Sequence, residues 1–121
     1  MSWTINERLD VERQVVLNIC LDIARGAWAP GDALPAPSSL AQERILNPHV
    51  VESAFSRLAQ SRLLTRTPDG AFLVAEDGQE LARAHLVDAA REELRDLVHR
   101  LRQAGVPTAG IQQTWREAIN D

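Results

Sequence analysis

The side chains best suited to chemistry gather in one stretch of this 121-residue chain. Asn47, His49, Val50, Glu52 and Ser53 crowd the start of a helical pattern, and Arg57 follows about one turn later. Arg62, Arg66, Thr67, Asp69 and Gly70 come next, while Ser38 and Ser39 precede the group. An amide, an imidazole, a carboxylate and hydroxyls at one helix end match the hydrogen-bonding edges of bases. Arginine forks match phosphates and guanine. The pattern points to nucleic acid rather than to bond-making chemistry. No Ser/His/Asp or Cys/His set occurs at an informative spacing. His85 and His99 share one helical stretch but lie about 21 Å apart by the helical rise, too far to share a metal within a subunit. Glu92 and Glu93 read as an exposed helix face. The sequence therefore implies no enzyme, no cofactor and no metal.

Two short helices and a ribbon must position those residues. Pro37 suits a first helical position, where a missing N–H costs nothing, and the helix runs to about Arg44, with Leu40 and Ala41 inward. Asn47-Pro48 restarts the chain with an N-cap and a second helix-initiating proline. Val51, Ala54, Phe55 and Leu58 then mark a buried face, leaving His49, Val50, Glu52, Ser53 and Ser56 on the other. Leu63–Arg66 reads as a strand, Thr67–Gly70 as a turn and Ala71–Ala75 as the returning strand. This is the outline of a winged helix-turn-helix, whose second helix offers its N-terminal end to a major groove.

The flanks read as supports. Asp10 is placed to cap a helix from Val11 to about Gly26, with Val15, Val16, Ile19, Cys20, Ile23 and Ala24 on one face. Trp3 and Ile5 are candidates to pack on the body, and Leu34 to anchor the loop after the Pro30-Gly31 turn. From Gln79 to about Ala104 there is neither Gly nor Pro, which predicts the longest helix. Val87, Ala90, Leu94, Leu97, Leu101 and Ala104 form a heptad-like seam along it, widened by Leu81, Leu86 and Val98. Gly105 ends that helix, and Thr108 is placed to cap a last one carrying Ile111, Trp115 and Ile119. Such a hairpin leaves apolar surface open, and a twofold partner is the simplest cover, contacting Val87, Ala90, Leu94, Leu97, Leu101, Ile111 and Trp115. The alternative is that the hairpin folds back on its own winged domain. The expected fold is mainly α with a small β-wing: a winged helix-turn-helix over residues 1–76 and a helical dimerisation arm over 77–121.

Composition sets the remaining bounds. Apolar residues make up 45 % and charged residues 25 %, as in folded globular chains. All 13 basic residues are arginine, and the net charge is −4. Between Pro30 and Val74, Arg44, Arg57, Arg62 and Arg66 balance Asp32, Glu43, Glu52 and Asp69, so DNA binding would rest on where the arginines point. The single cysteine, Cys20, excludes an internal disulfide and sits in an apolar helical pattern as an inert buried thiol. No apolar run reaches the roughly 20 residues of a membrane span, and the N-terminus has no signal-peptide shape, so a cytoplasmic location is expected.

Pro30-Gly-Asp-x-Leu-Pro35, Leu40-Ala41, Asn47-Pro48, Ala54-Phe55, Leu58 and Gly70-x-Phe72-x-Val74 resemble the N-terminal domain of GntR-type bacterial transcription regulators. The long and short C-terminal helices, with Gly105 and Thr108 between them, are similar to the YtrA subfamily. The resemblance implies a homodimeric repressor on a palindromic double-stranded DNA operator, with little room for a large metabolite pocket and no indication of which effector, if any, it takes. The chain departs from the family pattern at several places. Ala36 and Ser38 stand where the family has Ser-x-Arg, and the Arg normally grips DNA. Arg44 and Ile45 replace an apolar residue and the turn glycine, Val50 a threonine, Glu52 an often basic or amide residue, and Pro68 the first wing glycine. Glu52 would be repelled by phosphate but could accept from cytosine N4. Two functions remain in competition. One is a sequence-specific DNA-binding regulator; the other is a winged-helix interaction module, or mixed-dimer partner, with reduced or lost DNA binding.

Overall fold

A computed structural model describes residues 3–121. Its elements are α1 (Val11–Ala24), α2 (Pro37–Arg44), α3 (Pro48–Gln60), β1 (Leu64–Arg66), β2 (Phe72–Val74), α4 (Gly78–Gln103) and α5 (Thr108–Ile119). This is the mainly α winged helix-turn-helix that the sequence predicts. Two compact units divide the chain, the first ending at Leu86 and the second spanning Val87–Asp121. No helix among the described residues is long and apolar enough to cross a membrane.

In the first unit, the Asp10 carboxylate accepts the Arg13 N–H at 3.1 Å and starts α1 as expected. α1 stops at Ala24, slightly before the expected end, with Gly26 in a left-handed conformation just beyond. Val15, Ile19, Cys20 and Ile23 are fully buried and pack in one cluster with Val51, Ala54, Phe55 and Leu58 of α3. The three-and-four spacing of both helices thus meets in one core. Burial pushes the Cys20 thiol up to about 12, consistent with an inert role.

The wing is tied to that core. β1 and β2 pair antiparallel, with Leu64 opposite Val74 and Arg66 opposite Phe72. The Phe55 and Phe72 rings meet edge to face, 5.1 Å apart at 83°, which joins α3 to β2. A third segment, invisible to strand periodicity, flanks β2: the Leu34 N–H donates to the Phe72 carbonyl at 2.9 Å, and Ala33 bridges Leu73. Leu34 is buried, as its role as loop anchor requires. α4 begins against the sheet at Gly78, where an added Cβ would stand 2.9 Å from Val74 Cγ1 and 3.1 Å from the Leu63 carbonyl oxygen.

Sequence pattern gave no sign of one polar cluster. Asp22 is 2 % exposed, a buried carboxylate on α1. Trp3 Nε1 donates to it at 3.0 Å, and Arg25 pairs with it at 2.7 Å. Arg44 stacks on the same Trp3 ring, 4.7 Å from its centroid. The departure from an apolar residue at position 44 is thus met by a tryptophan that packs on the body.

In the second unit, Gly105 at φ +85° ends α4, and the Val106 N–H returns to the Leu101 carbonyl at 2.9 Å. The expected Thr108 cap is not formed. Pro107 holds the cap position in an extended conformation and Thr108 is the first helical residue, because the proline already fixes the φ that precedes the turn. No residue of α5 is buried. Val87, Leu97, Trp115 and Ile119 are exposed, and Leu94, Leu101 and Ile111 are half-buried.

Candidate nucleic-acid interface

The candidate edge is built by α2, the turn after it and α3. α2 and α3 pack against each other through their buried faces, Leu40 and Ala41 on one and Val51, Ala54, Phe55 and Leu58 on the other. The left-handed residue that joins them is Ile45, at φ 57° and ψ 56°. The Leu46 N–H reaches back to the Ala41 carbonyl at 2.8 Å, so this β-branched residue performs the turn that glycine performs without strain. Its side chain is 89 % exposed.

Asn47 caps α3 as expected: its side-chain oxygen accepts the His49 N–H at 2.9 Å. That bond occupies one end of the Asn47 amide and leaves its NH2 group as a donor. His49, Glu52, Ser53 and Ser56 are exposed along one edge of α3. Val50 differs from its neighbours: it is half-buried and packs against the core, so only part of it belongs to that edge. Ser38 and Ser39 are exposed in the first turn of α2. Ala36 provides no side-chain acceptor there, and α2 starts without a side-chain cap.

The arginines are placed unequally. Arg57 points to α1, where it pairs with Glu12 at 2.9 Å. Glu12 lies forty-five residues away, so no local pattern signals this pair. Arg66 lies over the Phe72 ring, 5.2 Å from its centroid, with its strand position exposed. Arg62 is exposed and left-handed at φ 67°, at the corner between α3 and β1.

The wing tip is a small closed structure. The Gly70 N–H donates to the Thr67 carbonyl at 2.9 Å, and the Thr67 N–H to the Ala71 carbonyl at 2.8 Å. Pro68 occupies the second turn position, where its fixed φ fits, and Gly70 takes φ +89°. Proline in place of the wing glycine is therefore structurally accommodated. The Thr67 hydroxyl donates to the Asp69 carboxylate and, with the Ala71 backbone, holds it below the usual carboxylate range. Asp69 is thus a persistent negative charge at the tip.

Exposed donors and acceptors on α3 stand with an α2 start that has no side-chain cap and a wing bearing arginine. No cluster of three His, Cys, Asp or Glu able to hold a metal exists among the described residues. No curated protein matches the chain. Solved structures share its fold. A GntR family transcriptional regulator from Listeria monocytogenes superposes with a TM-score of 0.74 at 19 % identity, covering 93 % of this chain and 98 % of that one. YtrA from Sulfolobus acidocaldarius, a GntR-family transcription factor, gives 0.56 at 18 % identity over 99 % and 97 %. BusR of S. agalactiae, solved in complex with its busAB-promotor DNA, gives 0.56 at 16 % identity over 97 % of this chain and 58 % of that one. Residues 11–74 match the family described as bacterial regulatory proteins, gntR family. That span holds α1, the helix-turn-helix and the wing, more than half of the chain, and the protein belongs to the GntR family of bacterial regulatory proteins.

Proposed function

We propose that the protein is a repressor of the YtrA kind that binds a palindromic operator as a homodimer. The observation that carries this reading is the exposed edge of α3, where His49, Glu52, Ser53 and the Asn47 amide project from a helix whose opposite face is locked in the core. In this reading residues 1–76 bind DNA and residues 77–121 form the dimerisation arm. Ser38 and Ser39 donate to one phosphate at the start of α2. His49 and Ser53 meet base edges, Glu52 accepts from a cytosine N4, and Val50 contributes an apolar edge suited to a thymine methyl. Arg62, Arg66, Thr67 and Gly70 follow the backbone along the wing, with Asp69 turned to solvent and Arg57 recruited when it leaves Glu12. The exposed Val87, Ala90 and Leu97, with Leu94, Leu101, Ile111 and Trp115, supply the surface for a second copy. Two α3 helices then enter successive major grooves about 34 Å apart and exclude polymerase.

Selection of bound duplexes from a randomised pool tests this directly. The expected result is an inverted repeat whose half-sites lie one helical turn apart. Lack of retention of any duplex at low salt would remove the reading. A second reading is supported by the Glu12–Arg57 pair together with Ala36, Ser38 and the Asp69 tip. With its cations diverted or replaced, the same fold serves as a protein-interaction module or mixed-dimer partner. Isolation of a second regulator bound to the chain, with no measurable DNA affinity, distinguishes this case.

A further inference from the structure

We infer that Trp3 is a positioning residue for DNA recognition: its indole ties the end of α1 to the end of α2, and so sets how the start of α2 stands against the exposed edge of α3. This rests on the DNA reading and adds to it a residue that touches no DNA.

α2 has little of its own to hold it in place. It has eight residues, of which only Leu40 and Ala41 are buried. Its last residue, Arg44, is followed by the left-handed Ile45, and the Asn47 cap of α3 comes two residues later. A small rotation of α2 about this turn would move Ser38 and Ser39 relative to His49, Glu52 and Ser53. Apolar packing is non-directional, so two buried side chains resist such a rotation weakly. A directional tie at the end of the helix resists it better.

The strap of residues 3–9 supplies that tie. Asn6 and Gln14 are joined twice: the Asn6 N–H donates to Gln14 Oε1, and Gln14 Nε2 donates to the Asn6 carbonyl, each at 2.8 Å. This fixes the strap near the start of α1. Near the end of α1, Trp3 Nε1 donates to Asp22 Oδ2 at 3.0 Å, while Arg25 donates to Oδ1 at 2.7 Å. Each oxygen of this buried carboxylate has its own donor, so the acceptor of the indole is held in one orientation. Gln14 and Asp22 stand about 12 Å apart by the helical rise, so the strap is held at two separate points. The edge of the indole is occupied by α1, and its face meets Arg44, whose guanidinium carbon lies 4.7 Å from the ring centroid. α1 and α2 each pack on α3, and Trp3 links the first two directly. Arg44 is half-buried, unlike the exposed His49, Glu52 and Ser53, and acts through the ring rather than on phosphate.

The test measures binding of the full chain to a selected duplex and to an unrelated duplex of equal length. Trp3→Phe removes the donor; Trp3→Phe/Asp22→Asn does so without leaving a bare carboxylate; Arg44→Gln removes the cation over the ring. Each is expected to bind the selected duplex about tenfold more weakly, the effect of roughly one poorly fitted base pair. Affinity for the unrelated duplex and the salt slope stay native, since no phosphate contact is lost. The double variant is expected to regain stability over Trp3→Phe without regaining preference, and Arg44→Lys, which returns a cation to the ring, to restore most of the preference. In the free protein, the Leu46 amide, which donates to the Ala41 carbonyl at 2.8 Å, is expected to exchange about tenfold faster in Arg44→Gln, with the Gly70 amide of the wing at its native rate. Undiminished preference in the double variant or in Arg44→Gln overturns the positioning role. So does an equal fall for both duplexes, a native exchange rate at Leu46, or a salt slope lowered by about one unit in Arg44→Gln, which would put Arg44 on a phosphate. A native chain that retains no duplex removes the DNA reading and the positioning role together, whereas native retention that the variants leave unchanged removes the positioning role alone.

Discussion

Replacement of Ile45 by glycine should stabilise the protein. Ile45 stands at φ 57° and ψ 56°, where its Cβ crowds the following carbonyl. That conformation costs an L-residue about 1–2 kcal/mol, and a β-branched side chain lies at the upper end. Glycine removes the cost but gains freedom in the unfolded chain, worth about 0.5–1 kcal/mol in the opposite direction. Little burial is forfeited, because the side chain is 89 % exposed. The balance is a gain of about 0.5–1 kcal/mol. For a unit of this size that corresponds to a rise of about 2–8 °C in Tm. Thermal and urea unfolding followed by far-UV circular dichroism are sufficient to measure it. Ile45→Ala keeps the Cβ and should gain less than glycine, while Ile45→Asn, which tolerates the left-handed region, should fall between them. A glycine variant that is less stable than the native chain, or an alanine variant that gains as much, would refute the strain argument.

Three further expectations follow from the polar contacts. Trp3→Phe removes the indole donor to Asp22, a carboxylate only 2 % exposed, and should cost about 1–3 kcal/mol by denaturant unfolding, with Asp22→Asn in the Trp3→Phe background recovering part of it. Glu12→Gln releases Arg57 from its ion pair and should raise affinity for a selected duplex several-fold while steepening the salt dependence by about one unit of slope; an unchanged slope would place Arg57 away from DNA. Cys20, with its thiol pushed up to about 12, should resist thiol reagents in the native protein and react on denaturation. Its native state holds the proton that the unfolded chain loses above the ordinary 9.0, so this group's contribution to stability declines as pH rises from 9 toward 12. Unfolding curves of the native chain and Cys20→Ala should therefore converge as pH rises through that window.

Local periodicity accounts for what could be read in advance. The buried stripe of α3 and its cap at Asn47 follow from spacing and from a side-chain bond two residues long, both contained in a short window. The hairpin of β1 and β2 follows from turn chemistry between two apolar runs. Features that depend on long separations were not legible. Arg57 reads as a free cation until α1 packs against α3 and brings Glu12 to it. Asp22 lies on the buried stripe of α1, and its indole partner, Trp3, is nineteen residues away, outside any local pattern. The bridge from Ala33 to Leu73 leaves no mark in a loop of mixed composition. Thr108 fails as a cap for a local reason, since Pro107 before it occupies the cap position. Of the candidate contacts on α3, His49, Glu52 and Ser53 lie together on one edge, while Val50 and Arg57 are turned toward the protein body by interactions that helical spacing does not encode.

Exposure of the α3 edge carries the functional account, so the most direct measurement maps backbone amide shifts while the full chain is titrated with its selected duplex at about 50 mM salt. The account predicts the largest changes at Asn47–Ser56, smaller ones at Ser38, Ser39 and Arg66–Gly70, and loss of all of them as salt rises. Amides of that edge that stay still while the duplex is bound, or that move with no duplex at any salt concentration, would contradict it.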